Sequence, residues 1–157
     1  MLDTDRTRNL HKGCDLAYTT ALASIWRARS GSDVARKLAV VAEAVDPSVR
    51  PSGTGCVECD ASGGWWVHLR RCAACGHIGC CDDSPMRHAA AHWRQSGHPI
   101  IRSFEPGEDW FWNYEDSQYY DGPRLAPPES RPPDETVPGP RGRVPSDWAE
   151  ILRNGAD

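Results

Sequence analysis

The chain has 157 residues, a formal net charge of −4 and a pI near 5.8, and only 39% of its residues are hydrophobic. Its 14 glycines and 13 prolines leave material for only a small apolar core, and such domains are usually stabilised by metals or disulfides. The acidic balance argues against a general nucleic-acid binder, because affinity for phosphates comes mainly from clustered Lys and Arg.

The N-terminal sequence, MLDTDRTRNLHKG, is charged and leads into no apolar core, so we expect no secretory signal. No apolar run approaches the length that spans a membrane. These observations predict a soluble, cytoplasmic protein without a membrane partner. In a reducing cytosol, cysteines paired as CxxC are more often metal ligands than disulfides.

Residues 1–49 show apolar positions at helical spacing, which predicts a helical N-terminal segment. One stripe contains Tyr18, Leu22 and Ile25, and a second contains Val34, Leu38, Val41 and Val45. A helical hairpin that packs against itself or a partner chain explains this pattern without any functional site. The turn-rich segment RPSGTG, residues 50–55, then marks a domain boundary.

The most informative stretch is residues 56–98, where two CxxC pairs, another cysteine, an HxxxH pair and a last histidine lie within 43 residues. The eight candidate ligands are Cys56, Cys59, Cys72, Cys75, Cys80, His88, His92 and His98. Eight ligands fill two tetrahedral zinc shells, so the sequence predicts two zinc ions. The run HAAAHW indicates a helix whose two histidines lie one turn apart on the same face, so one helix can supply both ions.

A purely structural core, a disulfide framework and a catalytic zinc each account less well for this cluster. Isolated cysteines and histidines usually belong to a core, but eight at ligand spacing rarely do, and a disulfide framework leaves an odd cysteine and no role for the histidines. A catalytic zinc keeps a coordination position for water, whereas all eight positions here can be closed by side chains, and no HExxH motif is present. We therefore expect no enzyme and keep a zinc-dependent hydrolase as the alternative in case one ligand is misassigned.

A second alternative is a nucleic-acid-binding zinc finger that uses Arg94 and Gln95 on the helix. The charge of residues 56–98 speaks against it, because four arginines there are balanced by four acidic residues. We therefore expect no nucleic-acid partner.

An aromatic stretch and a proline-rich tail follow the cluster. The aromatic residues are Trp110, Phe111, Trp112, Tyr114, Tyr119 and Tyr120, and eight of the 13 prolines lie between Pro123 and Pro145. Such a composition predicts that residues 121–157 are disordered or extended. The last residues predict a short helix that Ser146 caps and that Asn154 and Gly155 end.

The order of these motifs resembles the ubiquitin-protease-type (UBP-type, or BUZ) zinc finger family. The resemblance covers about residues 56–120 and rests on CxxC, a Trp-containing strand WWVHL, CxxCGHIGC, HxxxH and GHP. It implies a small zinc-stabilised α+β domain over residues 50–120, with a short twisted sheet and one or two helices. It also implies crossed ligand sets, with Cys56, Cys59, Cys80 and His88 on one zinc and Cys72, Cys75, His92 and His98 on the other.

Members of this family commonly bind the free C-terminal Gly-Gly tail of ubiquitin in an aromatic pocket. By position, Trp66, Trp110, Trp112 and Tyr114 would line such a pocket, and the competing interpretation is that these rings only cover the small core. The resemblance thus implies a recognition module for a protein or peptide, with the tail of a ubiquitin-like protein as one candidate ligand.

The sequence departs from the family pattern in three places. The family's Gly-Arg-Tyr, whose arginine receives the terminal carboxylate, is replaced here by Cys81, Asp82 and Asp83. The stretch from Cys80 to His88 is one residue longer than usual, which leaves Cys81 as an alternative ligand, although we expect Cys80 to bind zinc and Cys81 to be a free thiol. A CxxC that some members carry in the aromatic stretch is missing.

Overall fold

The computed structural model describes Ala39 and residues 43–155, so the predicted N-terminal helices lie largely outside the described residues. The elements are α1 (Val57–Ser62), β1 (Leu69–Cys72), β2 (Ile78–Cys80), α2 (His88–Ser96), β3 (Ile100–Ser103), β4 (Phe111–Asn113), β5 (Gln118–Tyr120) and α3 (Trp148–Asn154). None of the helices in these residues is both long and apolar enough to cross a membrane.

All five strands join one antiparallel sheet in the order β2-β1-β3-β4-β5, which confirms the predicted α+β fold. The predicted helix through HAAAHW is α2. In the register, Arg71 pairs with Arg102 and Arg102 with Phe111, while Ile101 pairs with Trp112. Because side chains alternate along a strand, this register divides the sheet into two faces.

One face of the sheet, the core face, carries two buried clusters. The first consists of Val45, Ala73, Ile100, Phe111, Tyr120 and Leu125, and the second consists of Cys56, Cys59, Trp66, Leu69, Ile78, Cys80 and Phe104. Residues before α1 and residues of the tail therefore both contribute to the core.

The opposite face, the outer face, is partly covered by α2. The helix lies directly on β2 because Gly79 has no side chain, and a Cβ added there would lie 2.6 Å from the backbone nitrogen of Ala89. The alternation of the strands puts Arg70, Trp112 and Tyr119 on this face. One side of the sheet thus holds the core, and the other offers side chains beyond α2.

The expected strand WWVHL is wrong in its limits, because β1 begins only at Leu69. Trp66 instead forms an isolated bridge with Gly139 of the tail, in which each backbone N–H donates to the other's carbonyl oxygen at 2.8 and 2.9 Å. The partner of Trp66 is thus a distant segment rather than a neighbouring strand, which local sequence does not encode.

Arginine side chains join the proline-rich tail to the finger. Arg71 of β1 donates to the carbonyl oxygens of Ala126 and Pro128 at 2.8 and 3.0 Å. In the other direction, Arg131 pairs with buried Glu105 at 2.7 Å, and Arg143 donates to the Cys59 carbonyl at 2.7 Å.

The terminal helix α3 begins at Trp148 and ends at Asn154, with Gly155 at its C-cap. Its N-cap is Asp147 and not Ser146 as predicted, and Asp147 makes no side-chain capping bond. The limits that the sequence predicts for the three segments, at residues 49 and 120, stay a prediction.

Candidate functional site

The first candidate metal centre consists of Cys56, Cys59, Cys80 and His88, which we call the first cluster. The Nδ1 atom of His88 lies 3.2, 3.3 and 3.4 Å from the three cysteine sulfurs. In a tetrahedral site with ordinary Zn–S and Zn–N bonds, a sulfur and a nitrogen ligand are about 3.6 Å apart. The cluster therefore has the size that a four-coordinate zinc requires.

The second cluster consists of Cys72, Cys75, His92 and His98. Its four ligand atoms lie within 4.8 Å of one another, with 3.3 Å between the sulfur of Cys75 and Nε2 of His92. The Nδ1 atom of His98 is buried without a hydrogen-bond partner, which is expected of a nitrogen that would coordinate a metal ion. The eight candidate ligands thus form the two crossed sets that the family resemblance implies, and the two clusters could hold two zinc ions.

The thiols of both clusters need a cation to ionise together. Hydrogen bonds with Cys56 and Cys59 lower the pKa of the Cys80 thiol to about 4, whereas hydrogen bonds with Cys56 and Cys80 raise the pKa of Cys59. Burial raises the pKa of Cys72 to about 12. One thiolate therefore forms at the expense of its neighbours, and a divalent cation would remove this competition, since zinc binds cysteine as thiolate.

Of the two adjacent cysteines, only Cys80 belongs to a cluster. Cys81 is also buried, but its sulfur lies 3.4 Å from the hydroxyl oxygen of Ser84. The extra residue between Cys80 and His88 is thus accommodated in the loop that follows Cys80, as the sequence predicts.

Sequence analysis missed a pair of residues beside the clusters. His77 lies in the loop between ligands of the second and first clusters, and its Nε2 atom is 2.8 Å from a carboxylate oxygen of Glu58 in α1. The only sequence signal was the position of His77 inside CGHIGC, among ligands but not at ligand spacing.

The structure brings three of the four predicted ligand-binding aromatics to one side of the sheet. Trp110 and Trp112 both contact Tyr119, with ring centroids 5.5 and 4.9 Å apart, and Tyr114 stacks on Trp93 of α2 at 5.1 Å. We call the three rings of Trp110, Trp112 and Tyr119 the aromatic cluster.

Trp66, the fourth predicted aromatic, lies elsewhere. It belongs to the buried cluster of the core face and is only 4% exposed. The guanidinium of Arg143 lies 5.5 Å from the centre of its ring. Among the described residues, no ring contact joins Trp66 to Trp110 or Trp112.

At the position where the family has its carboxylate-binding arginine, Asp82 lies close enough to Tyr114 for each side chain to affect the pKa of the other. Burial of the carboxyl group raises the pKa of Asp82, although Tyr114 and the charge of Arg70 act in the opposite direction. Burial also raises the pKa of Tyr114, and the charge of Asp82 adds to this effect. An acidic residue near a tyrosine thus replaces the expected cation.

Comparison with known proteins identifies a family and a similar solved structure. Residues 56–125 match the model of the zinc finger in ubiquitin hydrolases and other proteins. The solution NMR structure of protein RPA1320 from Rhodopseudomonas palustris is 38% identical, and the similarity covers 71% of this chain and 97% of that chain, with a TM-score of 0.47. No curated protein matches the chain at a significant level.

Proposed function

Because the chain belongs to the family of the zinc finger found in ubiquitin hydrolases and other proteins, we propose that it is a recognition module that binds a protein or peptide. The observation that carries this proposal is the aromatic cluster, which lies on the face of the sheet away from the core. Its outermost ring, Tyr119, is 54% exposed. Large rings grouped outside the core are typical of binding sites, where they supply contact area at low entropic cost.

Zinc has a structural role in this proposal. Each cluster offers four protein ligands, which close a tetrahedral shell, whereas a catalytic zinc has three protein ligands and a water. Bound zinc would supply folding free energy to a domain with a small core and hold α1, β2 and α2 together. No specific observation in residues 43–155 favours a zinc-dependent hydrolase.

The charge around the aromatic cluster supports a protein partner over a nucleic acid. Six acidic residues and no Lys, Arg or His occur between Ser103 and Pro123. Phosphates would be repelled by this segment. The set of free cysteines also fits a reducing compartment, so we propose a cytoplasmic site of action.

The tail of a ubiquitin-like protein stays a candidate ligand, but its terminal carboxylate would meet Asp82 instead of an arginine. Arg70 is the cation whose charge acts most strongly on this carboxyl group. It is 8% exposed and donates to the carbonyl oxygen of Leu69 at 3.0 Å, so it is not displayed for a ligand. A free terminal carboxylate is therefore a poor fit.

The proposal is tested by identifying a partner and mapping it. Random peptides displayed on phage are selected on the zinc-loaded full chain, and the selected peptides are titrated into ¹⁵N-labelled protein. We expect the indole N–H signals of Trp110 and Trp112 to shift, and that of Trp148 in α3 to stay in place. The Trp112→Ala variant should lose peptide binding while keeping its two zinc ions. The Trp148→Ala variant should keep both peptide binding and the two zinc ions.

The proposal is wrong if no peptide is enriched, or if every selected peptide leaves the signals of Trp110 and Trp112 unchanged. Ubiquitin is titrated in parallel as a defined protein probe. Its binding at the same two indoles would also support a recognition function.

A further inference from the structure

The three rings of the aromatic cluster meet at steep angles. The plane of Tyr119 makes an angle of 84° with that of Trp110 and 69° with that of Trp112. Trp112 and Tyr119 are direct cross-strand neighbours of β4 and β5, which fixes their separation through the backbone. Because the ring planes are steeply inclined to one another, the ring faces point in different directions. The face of an aromatic ring attracts cations.

One ring of the cluster already binds a cation of the chain itself. The guanidinium carbon of Arg70 lies 4.7 Å from the centre of the Trp110 ring. Because Arg70 is almost fully buried, it forms part of the wall of the cluster, whereas Tyr119 is exposed. The same contact shows that a guanidinium group fits against this type of surface.

The exposed charged residues of the β4–β5 region are all acidic. Four acidic residues of the β4–β5 region are exposed, namely Asp109, Glu115, Asp116 and Asp121. Asp116 accepts a hydrogen bond from Tyr120, so it is fixed at the hairpin turn. The charges of Arg70 and Arg87 act on Asp82, and Arg124, which follows β5 in the sequence, is paired with Glu129.

We propose that the aromatic cluster binds the side-chain cation of an arginine or lysine in a basic segment of the partner. This inference rests on the proposed function and names the chemistry of the ligand. The cation contacts the faces of Trp112 and Tyr119, and the surrounding carboxylates attract it and repel anionic segments. The ligand is thus an internal basic stretch of a polypeptide rather than a terminal carboxylate.

The test compares three peptides that differ in one side chain. Ac-Gly-Gly-X-Gly-Gly-NH₂ carries arginine, its neutral isostere citrulline, or glutamate at X, and both termini are capped so that no other charge is present. Each peptide is titrated into the zinc-loaded ¹⁵N-labelled full chain, and the indole shifts give a dissociation constant. We expect the arginine peptide to bind about tenfold more tightly than the citrulline peptide, and the glutamate peptide not to bind.

Two variants locate the site. Tyr119→Ala changes an exposed side chain and should weaken arginine binding about tenfold, whereas Trp148→Ala removes an indole of the terminal helix and should have no effect. Zinc content of two ions per chain confirms that each variant is folded. A higher salt concentration should weaken binding of the arginine peptide and leave that of the citrulline peptide unchanged.

Equal binding of the arginine and citrulline peptides would overturn the inference, as would equal losses in the two variants. If phage-selected peptides shift the indoles of Trp110 and Trp112 but carry no basic residue, this inference fails while the proposed recognition function stands. If no peptide of any kind shifts these indoles, both fail.

Discussion

His77 lies parallel to His92, with ring centroids 4.2 Å apart and only 4° between the planes. His92 is a candidate ligand of the second cluster. His77 also contacts Glu58, with 2.8 Å between its Nε2 atom and a carboxylate oxygen. The other carboxylate oxygen of Glu58 lies 3.6 Å from the sulfur of Cys56 in the first cluster. The two clusters are therefore joined by a short chain of side chains that fixes the orientation of the His92 ring.

Replacing His77 should weaken zinc binding at the second cluster. We expect His77→Ala, which removes both the stacked ring and the contact with Glu58, to lower the affinity of this site about tenfold. His77→Phe retains a ring for stacking and should have a smaller effect. Competition with a chromophoric chelator measures the affinity. His68→Ala serves as control, because His68 faces Glu105 rather than a metal ligand. Unchanged affinity in His77→Ala would refute the orienting role.

Two zinc ions should bind per chain and leave in order. The three cysteines of the first cluster are fully buried, whereas Cys75 in the second is exposed, so a chelator should remove the second ion first. Native mass spectrometry during chelation should show a species with one zinc before the metal-free, unfolded chain. Cys75→Ser should bind one ion, and Cys14→Ser, outside the described residues, should bind two. Simultaneous loss of both ions would contradict this order.

The adjacent pair Cys80 and Cys81 provides a matched comparison. Cys80→Ser should reduce the zinc count from two to one, because it removes a ligand of the first cluster. Cys81→Ser should keep both ions, since its sulfur lies against the hydroxyl of Ser84 and belongs to neither cluster. Zinc is counted by native mass spectrometry at neutral pH. A count of one in Cys81→Ser would exchange the roles of the two residues.

The sequence was sufficient for the metal sites because their information is local. A CxxC turn brings two sulfurs together, and an HxxxH helix places His88 and His92 one turn apart. Spacing alone did not determine which CxxC pair shares an ion with which histidine. That assignment came from the family resemblance, and the structure agrees with it.

The position of the tail was not predictable in the same way. Many of its contacts with the finger are made by single arginines that bind distant carbonyls or carboxylates, such as Arg131 with Glu105, 26 residues apart. The proline and charge content of the tail does not indicate which arginine pairs with which distant carbonyl or carboxylate group. The position of Trp66 was not predictable for a related reason, because its bridge partner Gly139 is more than 70 residues away in the sequence.

Removing the buried pair of Glu105 and Arg131 should show that the tail stabilises the finger. Arg131 and Glu105 are 3% and 5% exposed, so Arg131→Met leaves an unpaired buried carboxylate and should lower the free energy of unfolding by about 3 kcal/mol. Urea denaturation of the zinc-loaded protein measures this change. Arg124→Met, which breaks an exposed ion pair with Glu129, is the control and should change the stability by less than about 1 kcal/mol.

The same pair gives a pH dependence with a defined sign. Burial opposes ionisation of Glu105, but the contact with His68, the hydrogen bond from the Leu69 N–H and the charge of Arg131 outweigh it and lower its pKa. A depressed folded-state pKa contributes stability above the unfolded pKa, and this contribution is lost as the pH falls through the folded value. The stability difference between the wild type and Glu105→Gln should thus be largest near neutral pH and shrink on acidification. A difference that grows with acid would contradict the assignment.

The last prediction concerns the reversed charge at Asp82: the wild-type finger should bind the free tail of ubiquitin weakly or not at all. A terminal carboxylate gains about 1.5–3 kcal/mol from a charged hydrogen-bond partner, and here it would instead face the carboxyl group of Asp82. Asp82→Arg should therefore strengthen ubiquitin binding about tenfold or more. Asp82→Asn removes the negative charge but adds no guanidinium group that could donate two hydrogen bonds to the carboxylate, so it should recover only part of this gain. Calorimetric titration with ubiquitin, with and without a capped C-terminus, measures both effects. Micromolar binding of the wild type that vanishes on capping would show that another cation, such as Arg70, receives the carboxylate.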